Sequence, residues 1–267
     1  MAAFFMKRAL YNRAFYLMLV FGIVIAFLHI YQDATYFLDM VGEDRVLFTP
    51  YQSWIEFGLS SNYRYILLLL LPIISAISFS DTYAKDLQTG YLKAILSKGK
   101  MKAYFTGLYV TNFIVAGVTI AIPLLINLYL AFMMLPNIKP DPILDYNPLQ
   151  YESTLFPNLY YQFPLLHTLF YILLAFIFAG MYATICLSVS LYVKNRFFIV
   201  VSAFIIDMFL AIILNMTQLY SWVPASFLTQ LAAQPPVSLL AIVTIFLLGL
   251  GGSTYFYILG VKRRVIV

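Results

Sequence analysis

Residues 165–191 read LLHTLFYILLAFIFAGMYATICLSVSL, a run without one charged side chain. As a helix rising ~1.5 Å per residue, that run covers about 40 Å, more than the roughly 30 Å of a bilayer's hydrocarbon. Its apolar residues form a solid block, whereas a barrel strand would alternate over a shorter stretch. Five more runs have the same character, at Ala14–Tyr31, Tyr63–Ser80, Phe105–Leu135, Phe197–Leu214 and Val237–Leu259. The expected fold class is an all-α integral membrane protein with six transmembrane helices in a single transmembrane domain over residues 1–267. The third run is longer than a crossing requires, and Pro123 with Asn127 suggests a kink or an extension beyond the membrane.

Composition agrees. Of 267 residues, 63% are hydrophobic and 10% charged, and the mean hydropathy is +0.89. A soluble domain carries about 25% charged residues to keep its surface hydrated. The net charge of +5 comes from basic residues dispersed between apolar runs, so no nucleic-acid partner is expected. One cysteine, Cys186, excludes an intrachain disulfide and a cysteine-based metal cage, and His29 and His167 stand far apart, so no metal site is expected. Both histidines fall near the outer ends of their spans and read as interfacial side chains.

Basic residues set the orientation. The N-terminal arm, the segment after the second span, the link after the fourth and the tail hold 13 of the 16 Lys and Arg. The other side keeps Arg45, Arg64 and Lys139 among eight acidic residues. With six spans both termini share a side, and the asymmetry puts them in the cytoplasm of a cell-membrane protein. The first span exceeds a signal-peptide core and no cleavage site follows it. Before it, residues 1–13 mix Phe4, Phe5, Leu10 and Tyr11 with three cations, as either an amphipathic interfacial arm or a disordered basic tail. Residues 215–236 carry no charge and include Trp222, Pro224, Phe227 and Leu231, which points to re-entrant or interfacial helices. Asn215-Met216-Thr217 matches a glycosylation sequon but abuts the membrane, and reads as chance. No internal repeat is visible.

The segment FSDTYAKDLQTGYLKAILSKGKMKAYFTG, residues 79–107, carries the most specific pattern. Tyr83, Leu87, Tyr91 and Ile95 recur every four residues as one apolar stripe, with Lys85, Asp86 and Lys93 facing elsewhere. Gly90 breaks the pattern and Gly99 ends it among lysines. A short amphipathic helix beside the membrane would suit a soluble partner, and an ordinary positive-inside loop would show the same stripe.

This stretch resembles the loop between the second and third helices of ABC-2 type transporter permeases. In that family an acidic residue stands four positions before a glycine, followed by a leucine-rich helix, a small residue and basic residues. Asp86, Gly90, Leu92, Leu96, Ser97, Lys98, Lys100 and Lys102 fit, with Asp86 where the family usually has Glu. The resemblance extends to the basic arm, the six spans and the apolar segment before the last span. It implies an ABC-2 type permease fold with residues 81–104 as a coupling segment, in which Tyr83, Asp86, Leu87, Gly90, Tyr91, Ile95 and Lys98 meet an ATPase. It further implies a separate ABC ATPase subunit that binds ATP and Mg, and a second permease chain forming a homodimer or heterodimer. No cofactor is expected on this chain: its only Gly-Lys pair, Gly99-Lys100, has Ala94 and Met101 where a Walker A loop needs Gly and Ser/Thr.

Asp207 falls 11 residues past Arg196, roughly 16 Å along a helix at ~1.5 Å per residue, near mid-bilayer. A carboxylate there costs about 2.5–3.5 kcal/mol on insertion scales, so it faces protein or water. It reads as part of a substrate path or as a structural hydrogen-bonding group. Asn112 and Asn127 carry the same two readings. Ala175, Ala179 and Ala183 with Gly180, Thr184 and Ser188 suit close helix packing. Abundant aromatics, 22 Tyr and 24 Phe, suit interfacial belts and packing.

The function expected is export of a hydrophobic or amphipathic substrate such as a peptide, toxin or drug, driven by a partner's ATP hydrolysis. The chain itself is not expected to be an enzyme, since it has no H-E-x-x-H, no G-x-S-x-G and no second intramembrane aspartate beside Asp207. A non-transporting membrane subunit for sensing, immunity or assembly is the alternative.

Overall fold

A computed structural model describes residues 2–40, 49–55, 62–96, 101–143, 153–231 and 236–266. No strand occurs among them. A short helix α1 (Ala2–Leu10) precedes α2 (Arg13–Met40), and α3 (Asn62–Phe79) is followed closely by α4 (Thr82–Gln88) and α5 (Tyr91–Leu96). Then come α6 (Met101–Met134), the short α7 (Pro157–Gln162), α8 (Pro164–Ser190) and α9 (Arg196–Met216). A single 3-10 turn, Tyr220–Trp222, and α10 (Pro224–Phe227) lead to α11 (Leu239–Ile266).

Six helices are long and apolar enough to cross a membrane, at Arg13–Asp33, Asn62–Gln88, Met101–Met134, Pro164–Ser190, Arg196–Met216 and Leu239–Arg263. The chain is a multi-pass helical membrane protein by their length and composition. Helix α2 continues to Met40, so nine residues of the expected exterior loop are helical. Helix α6 continues through Pro123 to Met134, longer than a crossing requires. The ring of Pro123 fits against Gly22 of α2, where a Cβ would lie 2.6 Å from Pro123 Cγ.

The boundaries have local causes. Pro157, Pro164 and Pro224 each open a helix, where a missing N–H costs nothing. Asn195 caps α9, its Oδ1 accepting from Phe197 N at 3.0 Å. Gly90, at φ +76°, turns the chain between α4 and α5 in a conformation that side chains resist.

Helix α8 is the most buried span and packs on α3, α6, α9 and α11. Its small residues Ala175, Ala179 and Ala183 are buried, so the stripe serves packing within the chain. Gly180 of α8 receives the ring of Phe113, and Gly117 of α6 receives the ring of Phe176. Helices α9 and α11 leave most of their surfaces outward.

Two apolar cores result. The larger fills the bundle around Leu71, Leu124, Phe178 and Phe227. The second, at the end carrying the N-terminus, gathers Phe5, Ala9, Tyr83, Leu92, Ile95, Tyr104 and Tyr257. The arm is thus an ordered helix with Phe5 and Ala9 turned inward and Phe4 and Leu10 outward.

Candidate functional site

The second core is organised by a carboxylate. Asp86 of α4 is fully buried and accepts from Arg8 of α1 twice, Nη2 to Oδ1 at 2.5 Å and Nη1 to Oδ2 at 2.9 Å. Tyr104 of α6 donates its hydroxyl to Asp86 Oδ2 at 2.6 Å. The carboxylate that Arg8 donates to raises that guanidinium above its ordinary value, against the opposing pull of burial. A two-point ion pair of this kind fixes distance and angle together.

Rings complete the joint. Arg8 lies over the Tyr91 ring, 5.7 Å from its centroid, and Phe4 stacks on the same ring at 6.4 Å. Phe5 meets Tyr104 edge-on at 5.2 Å. Asn12, between α1 and α2, donates to Ser78 O at 2.9 Å and accepts from Ala14 N at 3.2 Å. The arm, the α4–α5 turn and the start of α6 form one locked unit.

The expected coupling residues divide by exposure. Tyr83 and Ile95 are buried in the second core with Asp86, so they position the segment instead of facing outward. Asp86, expected on the face away from the apolar stripe, turns inward because Arg8 and Tyr104 supply the donors its charge needs. Leu87, Gly90 and Tyr91 remain at the surface. Lys98 lies outside the described residues. Two clefts flank α4: one of about 570 Å³ between Phe4, Arg8, Gly90, Tyr91 and Ala94, the other of about 290 Å³ between Leu87, Gln88, Ser190 and Lys194. Arg196 at the head of α9 donates to Gln88 Oε1 at 2.6 Å, tying the link between α8 and α9 to the segment.

The residues read as a possible path are bonded within the chain. Asn112 accepts from Ser80 Oγ at 3.1 Å and donates to Ala183 O at 2.8 Å, joining the turn after α3 to α6 and α8. Asn127 donates to Ala26 O at 3.0 Å and to His29 Nδ1 at 3.2 Å, and accepts from Ile55 N at 2.8 Å. Asp207 is largely buried and accepts from Tyr182 on α8 at 2.5 Å. Each of the three joins a different set of segments.

Both histidines are fully buried within the protein. Segments 49–55, 153–155 and 228–231 bond to this end of the bundle through Ile55, Leu155 and Gln230. Gln230 accepts from Trp54 Nε1 and donates to His167 Nδ1 at 2.7 Å; His167 Nε2 then donates to Leu155 O at 2.7 Å. This chain fixes the His167 tautomer and ties the buried residues 228–231 to the bundle. Arg8 and Tyr104 were missed as site residues, since their only signal was a cation and a ring in segments adjoining Asp86 in space. No group of three His, Cys, Asp or Glu side chains suited to a metal occurs among the described residues.

No family model matches the chain, and neither a curated protein nor a solved structure matches it.

Proposed function

We propose that the chain is the membrane-spanning subunit of an ABC-2 type transporter, with both termini in the cytoplasm and ATP hydrolysed in a separate subunit. The observation that carries this reading is the Arg8–Asp86–Tyr104 joint. It makes the surface around Gly90 and Tyr91 continuous with α1, α3 and α6, so a push there moves spans and not a loose loop. A partner ATPase docks on that surface, and the rigid unit passes its movement to the bundle. A second permease chain completes the transporter, with the outward surfaces of α9 and α11 available to it or to lipid. The cargo is hydrophobic or amphipathic and is exported.

The second reading, a non-transporting membrane subunit, is favoured by the saturation of Asn112 and Asn127 within the chain. Gentle extraction from native membranes followed by mass spectrometry separates the readings in part. A co-purifying ATP-binding-cassette subunit supports the transporter, and its reproducible absence overturns it. ATP-driven movement of dye-like amphiphiles in vesicles rebuilt from the complex then separates a working transporter from a silent subunit.

A further inference from the structure

The end of the bundle opposite the N-terminus holds a buried cation with no ion-pair partner among the described residues. Arg64, on the first turn of α3, is 2% exposed. Its Nη2 donates to Tyr65 OH at 3.1 Å, and its guanidinium stands 4.9 Å from the Tyr65 ring centroid. Its Nε and Nη1 are buried with no hydrogen-bond partner among the described residues. No ion pair reaches it among the described residues; Asp33, on the neighbouring α2, is engaged with Ser53 Oγ at 3.1 Å and stands 3.6 Å from His29. A guanidinium stays protonated in proteins, so burial cannot be relieved by losing the charge. A buried, unpaired cation carrying unmet donors is unfavourable until an anion meets it.

The surroundings indicate what that anion is attached to. On α3, Asn62, Tyr65, Ile66 and Leu69 are exposed at helical spacing, while Arg64, Leu67 and Leu68 turn inward. Tyr65, which covers the guanidinium, is itself 54% exposed. The Tyr65 ring thus stands between the Arg64 guanidinium and the exposed apolar face of α3. A soluble anion would find no reason to meet Ile66 and Leu69; an amphiphile would.

We propose that Arg64 binds the phosphodiester of an anionic phospholipid, with an acyl chain lying along Tyr65, Ile66 and Leu69. The planar guanidinium suits a phosphate through several donors at once. The site is independent of the transporter reading, since it uses neither the α4–α5 surface nor a partner chain.

Its test uses the full chain in nanodiscs of mixed phosphatidylglycerol and phosphatidylcholine, with retained lipid read by native mass spectrometry after detergent extraction. Wild type retains phosphatidylglycerol over phosphatidylcholine, Arg64→Gln and Arg64→Met lose that preference, and Arg64→Lys keeps part of it. Melting in pure phosphatidylcholine supplies the folding control: Arg64→Met melts at or above wild type, because it removes an unpaired charge. Equal retention of the two lipids by wild type overturns the site, as does unchanged preference in Arg64→Gln. Inorganic phosphate raising the melting temperature in detergent as much as phosphatidylglycerol does would assign a free oxyanion and overturn the lipid. Preference appearing only after Asp39, Glu43, Asp44 and Glu56 are neutralised together would place the partner inside the chain and overturn it also.

Discussion

Arg8 and Asp86, 78 positions apart in the sequence, meet in a two-point ion pair that fastens the N-terminal arm to the segment after the second span. Tyr104 is the third member and brings α6 into the same joint. The carboxylate is fully buried while Arg8 is about a third exposed, so the pair is screened on one side only.

Removing one partner therefore leaves a buried charge. Asp86→Ala is expected to cost stability at the lower end of the ~3–5 kcal/mol typical of a broken buried pair, because Arg8 regains some water. Arg8→Ala leaves the carboxylate with Tyr104 alone and costs a similar amount. The double variant costs less than the two single losses combined, which a thermal-unfolding cycle in detergent measures. Additive losses would mean that the two residues act separately.

Helices α6 and α8 interlock through a reciprocal pair, Gly117 under Phe176 and Gly180 under Phe113, with the two rings 6.2 Å apart edge to face. A Cβ at Gly117 would lie 2.6 Å from the Phe176 ring, and one at Gly180 2.7 Å from the Phe113 ring. Gly180→Ala and Gly117→Ala are each expected to cost about 1–3 kcal/mol through overpacking. Gly251→Ala, which meets nothing within 4 Å, should not lower the melting temperature.

Tyr182 and Asp207 form one donor–acceptor unit between α8 and α9. Asp207→Asn keeps an acceptor oxygen and should fold nearly as well as wild type. Tyr182→Phe strips the buried carboxyl of its donor and should cost about 1–3 kcal/mol. If Asp207→Asn instead melts as low as Tyr182→Phe, the negative charge itself holds the helices. If it folds normally but blocks substrate movement in vesicles, Asp207 belongs to a path.

At the opposite end, Gln230 accepts from Trp54 and donates to His167. Gln230→Leu leaves both partners short of a bond, each worth about 1–3 kcal/mol when buried. Amide hydrogen exchange should then quicken in residues 49–55 and 224–231 while α6 and α8 stay protected. Uniform quickening across the bundle would show that these segments are integral to the core instead of a cover.

The spans were legible because hydropathy over a bilayer's width is a strong signal, and Gly90's break was legible because only glycine sits easily at φ +76°. The role of Asp86 was not. Its spacing from Tyr83 and Leu87 placed it off the apolar stripe, and only the fold shows that Arg8 and Tyr104 cover that side. The unusual length of the third span was legible too, and α6 runs through Pro123 to Met134; that Gly22 of α2 leaves room for the Pro123 ring was not legible. Pairings across a hundred residues, such as Asn127 with Ala26, leave no periodic trace in the chain.

The central claim is that the surface beside the Arg8–Asp86 joint receives an ATPase. Cys186 is buried and leaves single introduced thiols as the reactive ones. Ala94→Cys places a thiol on the exposed side of α5, and Ile143→Cys places one at a strongly exposed position on the link after α6. Treating native membranes with a short thiol-to-amine cross-linker and identifying the products by mass spectrometry gives the answer. An ATP-binding-cassette chain attached through Ala94→Cys and absent from Ile143→Cys is the predicted result. Attachment of no such chain at Ala94→Cys, or equal attachment at both positions, would contradict the account.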